Sequence, residues 1–204
     1  MKLYFTPFAC SLATRIAIEE AELDAEFVLV PSGRILPDGR PFAVISPMEY
    51  VPAMENSGGM VLSEGTAVLT YIADLAAEGV LAPAPYTLER YQMMRWLNFI
   101  ATEIHKGIFS PLMTRKSGEA AREWALGMMP KRFELLSRQL DGQDYLVGSF
   151  SVADAYLLAV LNWCEHASVP IADWPVLLGW RARMRQRPSV ARAMAAEMPL
   201  LQAA

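Results

Sequence analysis

Lys2-Leu3-Tyr4-Phe5-Thr6-Pro7-Phe8-Ala9-Cys10-Ser11-Leu12 is the stretch whose reading decides this fold. Lys2 to Phe5 has the apolar, aromatic character of a short strand. Cys10 to Glu22 places Leu12, Ile16 and Ala17 on one face of a helix. Cys10 thus stands where a strand hands over to a helix, and unpaired backbone N–H groups and the positive helix end converge on its sulfur. An effect of up to ~2 kcal/mol lowers the thiol pKa by roughly 1.5 units from ~8.5, leaving about half of it ionised at neutral pH. That predicts a nucleophile. The competing reading, an inert packing thiol, is the commoner one for a cysteine taken alone. Ala13 occupies the position three residues on, so Cys10 has no partner for an internal dithiol. A single thiol here suits a mixed disulfide with a soluble thiol, or binding of one.

Working outward, Glu26 to Val30 reads as a second strand, followed by a Gly- and Pro-rich loop from Pro31 to Pro41. The apolar pieces Ala53–Met54 and Met60–Leu62 flank Asn56-Ser57-Gly58-Gly59, a hairpin signal. Ser63 is expected to open a helix through Ala67, Leu69, Tyr71 and Ile72. Strand, helix, strand, loop, hairpin and helix in that order predict a mixed sheet with helices packed on it. Two prolines in GVLAPAPY (79–86) interrupt any continuous helix. Beyond them the pattern is helical throughout. Leu97, Ala101, Ile104 and Ile108 recur at helical spacing, and amphipathic stretches cover 119–140, 151–166 and 174–186. The expected organisation is an α/β domain over 1–78, a linker over 79–87 and an all-α domain over 88–204.

Composition sets the surroundings. The 204 residues carry a net charge of −4, which gives no electrostatic footprint for nucleic acid or an anionic membrane surface. Ala155 to Leu161, the most apolar run, is too short to span a bilayer. The N-terminus lacks a basic-then-apolar export pattern, and the two cysteines, Cys10 and Cys164, predict a reducing, cytoplasmic setting without disulfides. Cys164, among Leu161, Trp163 and Ala167, reads as mid-helix core filler.

Two further segments suggest a binding cleft. A cis Val51–Pro52 bond turns the Val51 N–H and C=O outward, ready to pair with an extended peptide, although X–Pro bonds are more often trans. At Ser63-Glu64-Gly65, helix N–H groups suit a carboxylate and Glu64 suits an ammonium, so a zwitterionic amino-acid end fits both. Taken alone, an ordinary acidic helix start is the better reading.

Together these segments resemble a known family. MKLYFTPFACSLA at the start, Val51-Pro52, LSEGTAVLTYIADL, RWLNFIATEIHKGIFSPL, SFSVADAYLLAVLNW and Arg187-Pro188 follow the order and spacing of the cytosolic glutathione transferases, most closely the bacterial beta class. The resemblance implies a thioredoxin-like N-terminal domain with a mixed four-stranded sheet, then an all-helical domain. It implies transfer of the glutathione thiolate to a small hydrophobic electrophile, with glutathione as cosubstrate, no tightly bound cofactor, no metal, and a homodimer. Carried over by residue, Cys10 faces the glutathione sulfur with His105 as the second catalytic group. Val51, before Pro52, holds the cysteinyl backbone, and Glu64 and Gly65 take the γ-glutamyl end. Asn98, Thr102 and Lys106 contact glutathione from the helical side, and Arg34 from the long loop. The electrophile is expected near Phe109, Met113 and Trp163.

Independently of the family, Asn98, Thr102 and His105 stand at i, i+4 and i+7, sharing a face roughly 100° from the apolar stripe. Ser151-Val152-Ala153-Asp154 reads as a capping box that serves folding. Three positions depart from the family pattern: Phe8 replaces the usual glycine, and Glu49-Tyr50 replaces Gly-Gln. Two other functions stay open on this fold. One is glutathione-dependent disulfide exchange or reductive dehalogenation through Cys10; the other is a non-catalytic binding module.

Overall fold

The structure is a computed structural model that describes residues 1–114 and 116–202. Its first part is a four-stranded mixed sheet in the order β2-β1-β3-β4. Strand β1 (Lys2–Phe5) pairs in parallel with β2 (Glu26–Leu29), Lys2 opposite Glu26, and antiparallel with β3 (Ala53–Glu55). Strand β4 (Val61–Ser63) closes the hairpin through the Asn56 turn, where the Asn56 side-chain oxygen accepts from Gly58 N–H and Met60 N–H. Leu3 and Phe5 from β1 pack with Leu12, Ala13 and Ile16 of helix α1 (Ser11–Glu20) and with Val68, Leu69 and Ile72 of α2 (Gly65–Leu75). This is the thioredoxin-like arrangement expected.

All that follows is helical: α3 (Leu88–Phe99), a π-helical segment (Ile100–Phe109), α4 (Ser110–Met113), α5 (Gly118–Leu140), α6 (Val152–Leu161), α7 (Pro175–Arg185) and α8 (Pro188–Gln202). Every residue of α6 is buried, as its unbroken apolar run requires. Its capping box forms as the sequence indicates. The Asp154 carboxylate accepts from Ser151 N–H at 3.0 Å and from the Ser151 hydroxyl at 2.8 Å. It also accepts from Leu146 N–H at 2.9 Å, so the cap ties the preceding loop to the helix.

Helix α8 folds back across α1. Glu197, fully buried, accepts from Arg15 Nε at 3.0 Å and from Phe8 N–H at 2.7 Å. The Arg15 guanidinium lies over the Phe27 ring at 3.7 Å. The C-terminal helix thereby reaches the loop that carries Cys10.

Several boundaries differ from the sequence reading. Helix α1 starts at Ser11, leaving Cys10 at its N-cap. Ser63 ends β4 instead of opening α2, because Glu64 adopts a left-handed φ of +70° and takes the cap position. The helix expected over 151–166 stops at Leu161, so Cys164 lies in the turns beyond it, although it is fully buried as expected. The periodic stretch around Ile104 winds as a π-helix, with Ser110 N–H reaching His105 O. Gly107 permits this winding: a Cβ there would sit 3.0 Å from the Thr102 carbonyl oxygen.

Candidate active site

A cleft of about 420 Å³ opens where the loop after β1, the Val51 turn and the start of α2 face the π-helical segment and α6. Its size falls within the ~300–1,000 Å³ range of small-molecule sites. Cys10, Arg34, Val51, Pro52, Glu64, Gly65, Thr102, His105 and Lys106 all line it. Asn98 does not. One helical turn before Thr102, and about 6 Å further along the axis by helix rise, it lies in a separate groove with Thr66, Thr70 and Met94. A larger hollow of about 600 Å³ near the 79–86 linker is lined by neither cysteine nor histidine, and its Arg90 is already paired with Asp74.

Backbone geometry builds the sulfur site from the strand outward. Ser11 Oγ accepts from Thr6 N–H and donates to Thr6 O, fastening the β1–α1 loop. Phe8, where the family pattern has glycine, sits at a left-handed φ of +54°. Its N–H is held by Glu197, and its carbonyl accepts from the Trp163 indole N–H at 2.8 Å. Glu49, the other position where that pattern has glycine, also has a φ of +54°. Both turns keep a glycine-like backbone without glycine.

The Val51–Pro52 bond is cis. The Cys10 thiol donates to the Val51 carbonyl at 3.1 Å. Burial pushes this thiol up to about 11, with Glu64 adding to the rise; Lys106 and the N–H groups of Cys10 and Ser11 pull the other way and lose. This reverses the low pKa expected at a helix start. The helix terminus is present, but desolvation of the sulfur outweighs it.

His105 is half-buried, with Nδ1 2.8 Å from the Tyr156 hydroxyl and its ring edge-on to Trp163 at 4.8 Å. Burial, aided by the neighbouring Lys106 charge, lowers its pKa to about 4, so the imidazole is neutral at physiological pH. Lys106 Nζ stands 4.9 Å above the Tyr50 ring, a cation–π contact. Arg34 brings one guanidinium nitrogen, Nη1, that is buried without a hydrogen-bond partner among the described residues.

Phe109 and Trp163 are core residues, contrary to the pocket role expected of them. Phe109 is fully shielded and stacks edge-on against Trp163. Met113 is half-buried and packs against the same core. The apolar lining of the cleft comes instead from Pro47, Met48, Tyr50 and Ala101. Tyr156, which the sequence reading passed over, also lines the cleft. Its signal was a single hydroxyl in the otherwise apolar run Ala155–Leu161, since a buried phenol seeks a partner.

Comparison with known proteins meets the same pattern. Residues 1–74 match the family model for the glutathione S-transferase N-terminal domain, and residues 99–188 match the one for the C-terminal domain. The chain is 33% identical to glutathione S-transferase GstA of Escherichia coli O157:H7, over 97% of this chain and 98% of that protein. A glutathione transferase structure from Methylococcus capsulatus strain Bath is 42% identical with a TM-score of 0.92, covering 96% of this chain and 98% of that one. The bacterial beta class glutathione S-transferase of Sphingomonas chungbukensis is 37% identical with a TM-score of 0.91, covering 97% and 98%. With a thioredoxin-like sheet, a lone cysteine at its first helix and an all-helical second half, this chain belongs to the glutathione S-transferase family.

Proposed function

We propose that the cleft binds glutathione and that the protein conjugates its thiolate to a small hydrophobic electrophile. One observation carries the reading: a thiol paired to an outward-facing carbonyl shares a cleft with a helix N-terminus and a buried, unpartnered guanidinium nitrogen. The cysteinyl backbone of glutathione pairs with Val51 in a β-like way. Its γ-glutamyl carboxylate meets the N–H groups of Gly65 and Thr66, its ammonium meets Glu64, and its other carboxylate meets Arg34 and Lys106. In the reaction the glutathione sulfur forms a carbon–sulfur bond as the leaving group takes its electron pair. On binding, Cys10, protonated at neutral pH, turns its S–H from the Val51 carbonyl, which the glutathione backbone takes over, to that thiolate, and neutral His105 supplies a second donor.

The partner expected beyond glutathione is a second copy of the chain. Leu75 on α2 and Tyr91 and Met94 on α3 are exposed apolar residues, Met94 lining the Asn98 groove, and they support that pairing. The setting is cytoplasmic, as the reduced cysteines suggest.

Because Cys10 faces the cleft as a free thiol, disulfide exchange through Cys10 is the second reading. Turnover separates them. With glutathione and an activated aryl halide, conjugation predicts saturable thioether formation above the uncatalysed rate. Turnover of a mixed disulfide alone, abolished in Cys10→Ser, would transfer the assignment to exchange. No turnover of either substrate would leave a binding module.

A further inference from the structure

We propose that Tyr156 is a positioning residue that holds His105 as the neutral Nε2–H tautomer, so that the imidazole shows the cleft a hydrogen-bond donor. The proposal rests on the reading of the cleft as a thiolate site.

Tyr156 comes from α6, where its side chain is 5% exposed, so its place is fixed by the core. Its hydroxyl lies 2.8 Å from His105 Nδ1 and has no other hydrogen-bond partner among the described residues. The tyrosine ring stands at 88° to the imidazole, and the Trp163 ring meets the imidazole at 71°. Trp163 is itself anchored by its indole N–H to the Phe8 carbonyl. An imidazole gripped by two aromatic rings cannot turn over to exchange its nitrogens.

Chemistry sets the direction of the Tyr156 hydrogen bond. A phenol O–H is more acidic than a neutral imidazole N–H, and imidazole nitrogen is a better acceptor than phenol oxygen. Tyr156 therefore donates to Nδ1, and the remaining proton belongs on Nε2. The ionisable groups that share the cleft with this ring are Cys10 at the start of α1, Arg34 from the long loop, Tyr50 from the Val51 turn, Glu64 at the start of α2, Lys106 beside it and Tyr156 on α6. The opposite tautomer would aim a lone pair into a cleft built for a sulfur anion. An imidazolium would add a second cation next to Lys106. Only the Nε2–H form offers a donor without added charge.

The test reads the tautomer directly. Nitrogen-15 spectra of the ligand-free protein give two histidines, His105 and His166, and a His166→Gln variant assigns them. The expected result is a pyridine-like Nδ1 and a pyrrole-like Nε2 for His105, becoming a tautomer average in Tyr156→Phe. With glutathione and an aryl halide, Tyr156→Phe is expected to lower kcat about tenfold, the partial loss of one oriented donor, with KM for glutathione unchanged within about twofold. A pyrrole-like Nδ1 in the wild type overturns the proposal whatever the turnover shows, and so does a Tyr156→Phe spectrum identical to wild type. The wild-type spectrum decides the matter even if Tyr156→Phe fails to fold. If the spectra come out as expected while no thiol-dependent turnover is found, the tautomer assignment stands and the transferase reading fails separately.

Discussion

Glu197→Ala is expected to lower the unfolding free energy by about 3–5 kcal/mol, the range for removing one partner of a buried ion pair. Urea unfolding followed by tryptophan fluorescence measures it. Two losses add in this variant. Arg15, 6% exposed and stacked on Phe27, is left as a buried guanidinium without its carboxylate. Phe8 N–H loses its acceptor at a residue whose left-handed backbone itself costs of order 1 kcal/mol or more. Glu197→Gln keeps an acceptor for one of the two donors, so its loss should be smaller, about 1–3 kcal/mol. A deficit under 1 kcal/mol for the alanine variant would show that α8 does not hold the Cys10 loop.

The second large effect concerns the reactivity of Cys10 before any ligand binds. A thiol raised from 9.0 to about 11 has roughly a hundredfold less thiolate at pH 7. The more basic sulfur is intrinsically the better nucleophile, by about eightfold for two pKa units at a Brønsted slope of ~0.45. Alkylation by iodoacetamide at pH 7 should therefore run about tenfold slower than for an unperturbed thiol. The sign fixes the pH profile: because the folded-state pKa is raised, the rate keeps climbing through pH 9 and 10 without levelling. Cys10→Ser should abolish the modification, since Cys164 is fully buried with its own thiol pushed up to about 12 by burial. A plateau near pH 7 would restore the activated thiolate that the helix terminus alone suggests.

This reversal shows where sequence reasoning ends. A cysteine at a strand-to-helix junction was legible from MKLYFTPFAC because strand pattern, helix pattern and junction are local. The N–H groups that favour a thiolate are local as well. Desolvation is not: the sulfur is buried by residues such as Val51, far along the chain, and no spacing in the first twelve residues encodes it. The hairpin at Asn56 and the capping box at Ser151–Asp154 were legible for the same reason, each being a short-range hydrogen-bond pattern.

Long-range contacts escaped. Glu197 carries no local sign of burial, yet it hydrogen-bonds a backbone N–H 189 residues away. Phe109 and Trp163 proved to be core, the commoner fate of such residues, because apolar residues in a helical region carry no mark of which side is empty. Asn98, expected to share a face with Thr102 and His105, lies in a separate groove: the spacing assumed an α-helix, whereas the segment from Ile100 winds as a π-helix. The left-handed turns at Phe8 and Glu49 were hidden because neither position carries the glycine that usually announces such a backbone.

Calorimetric titration of the ligand-free protein with reduced glutathione bears most directly on the cleft. Saturable binding at one site per chain is predicted, weakened by Glu64→Gln through loss of the ammonium partner and by Arg34→Ala through loss of a carboxylate partner. Absence of saturable heat with wild-type protein, or affinity untouched by both substitutions, would contradict a glutathione site between the Val51 turn and His105.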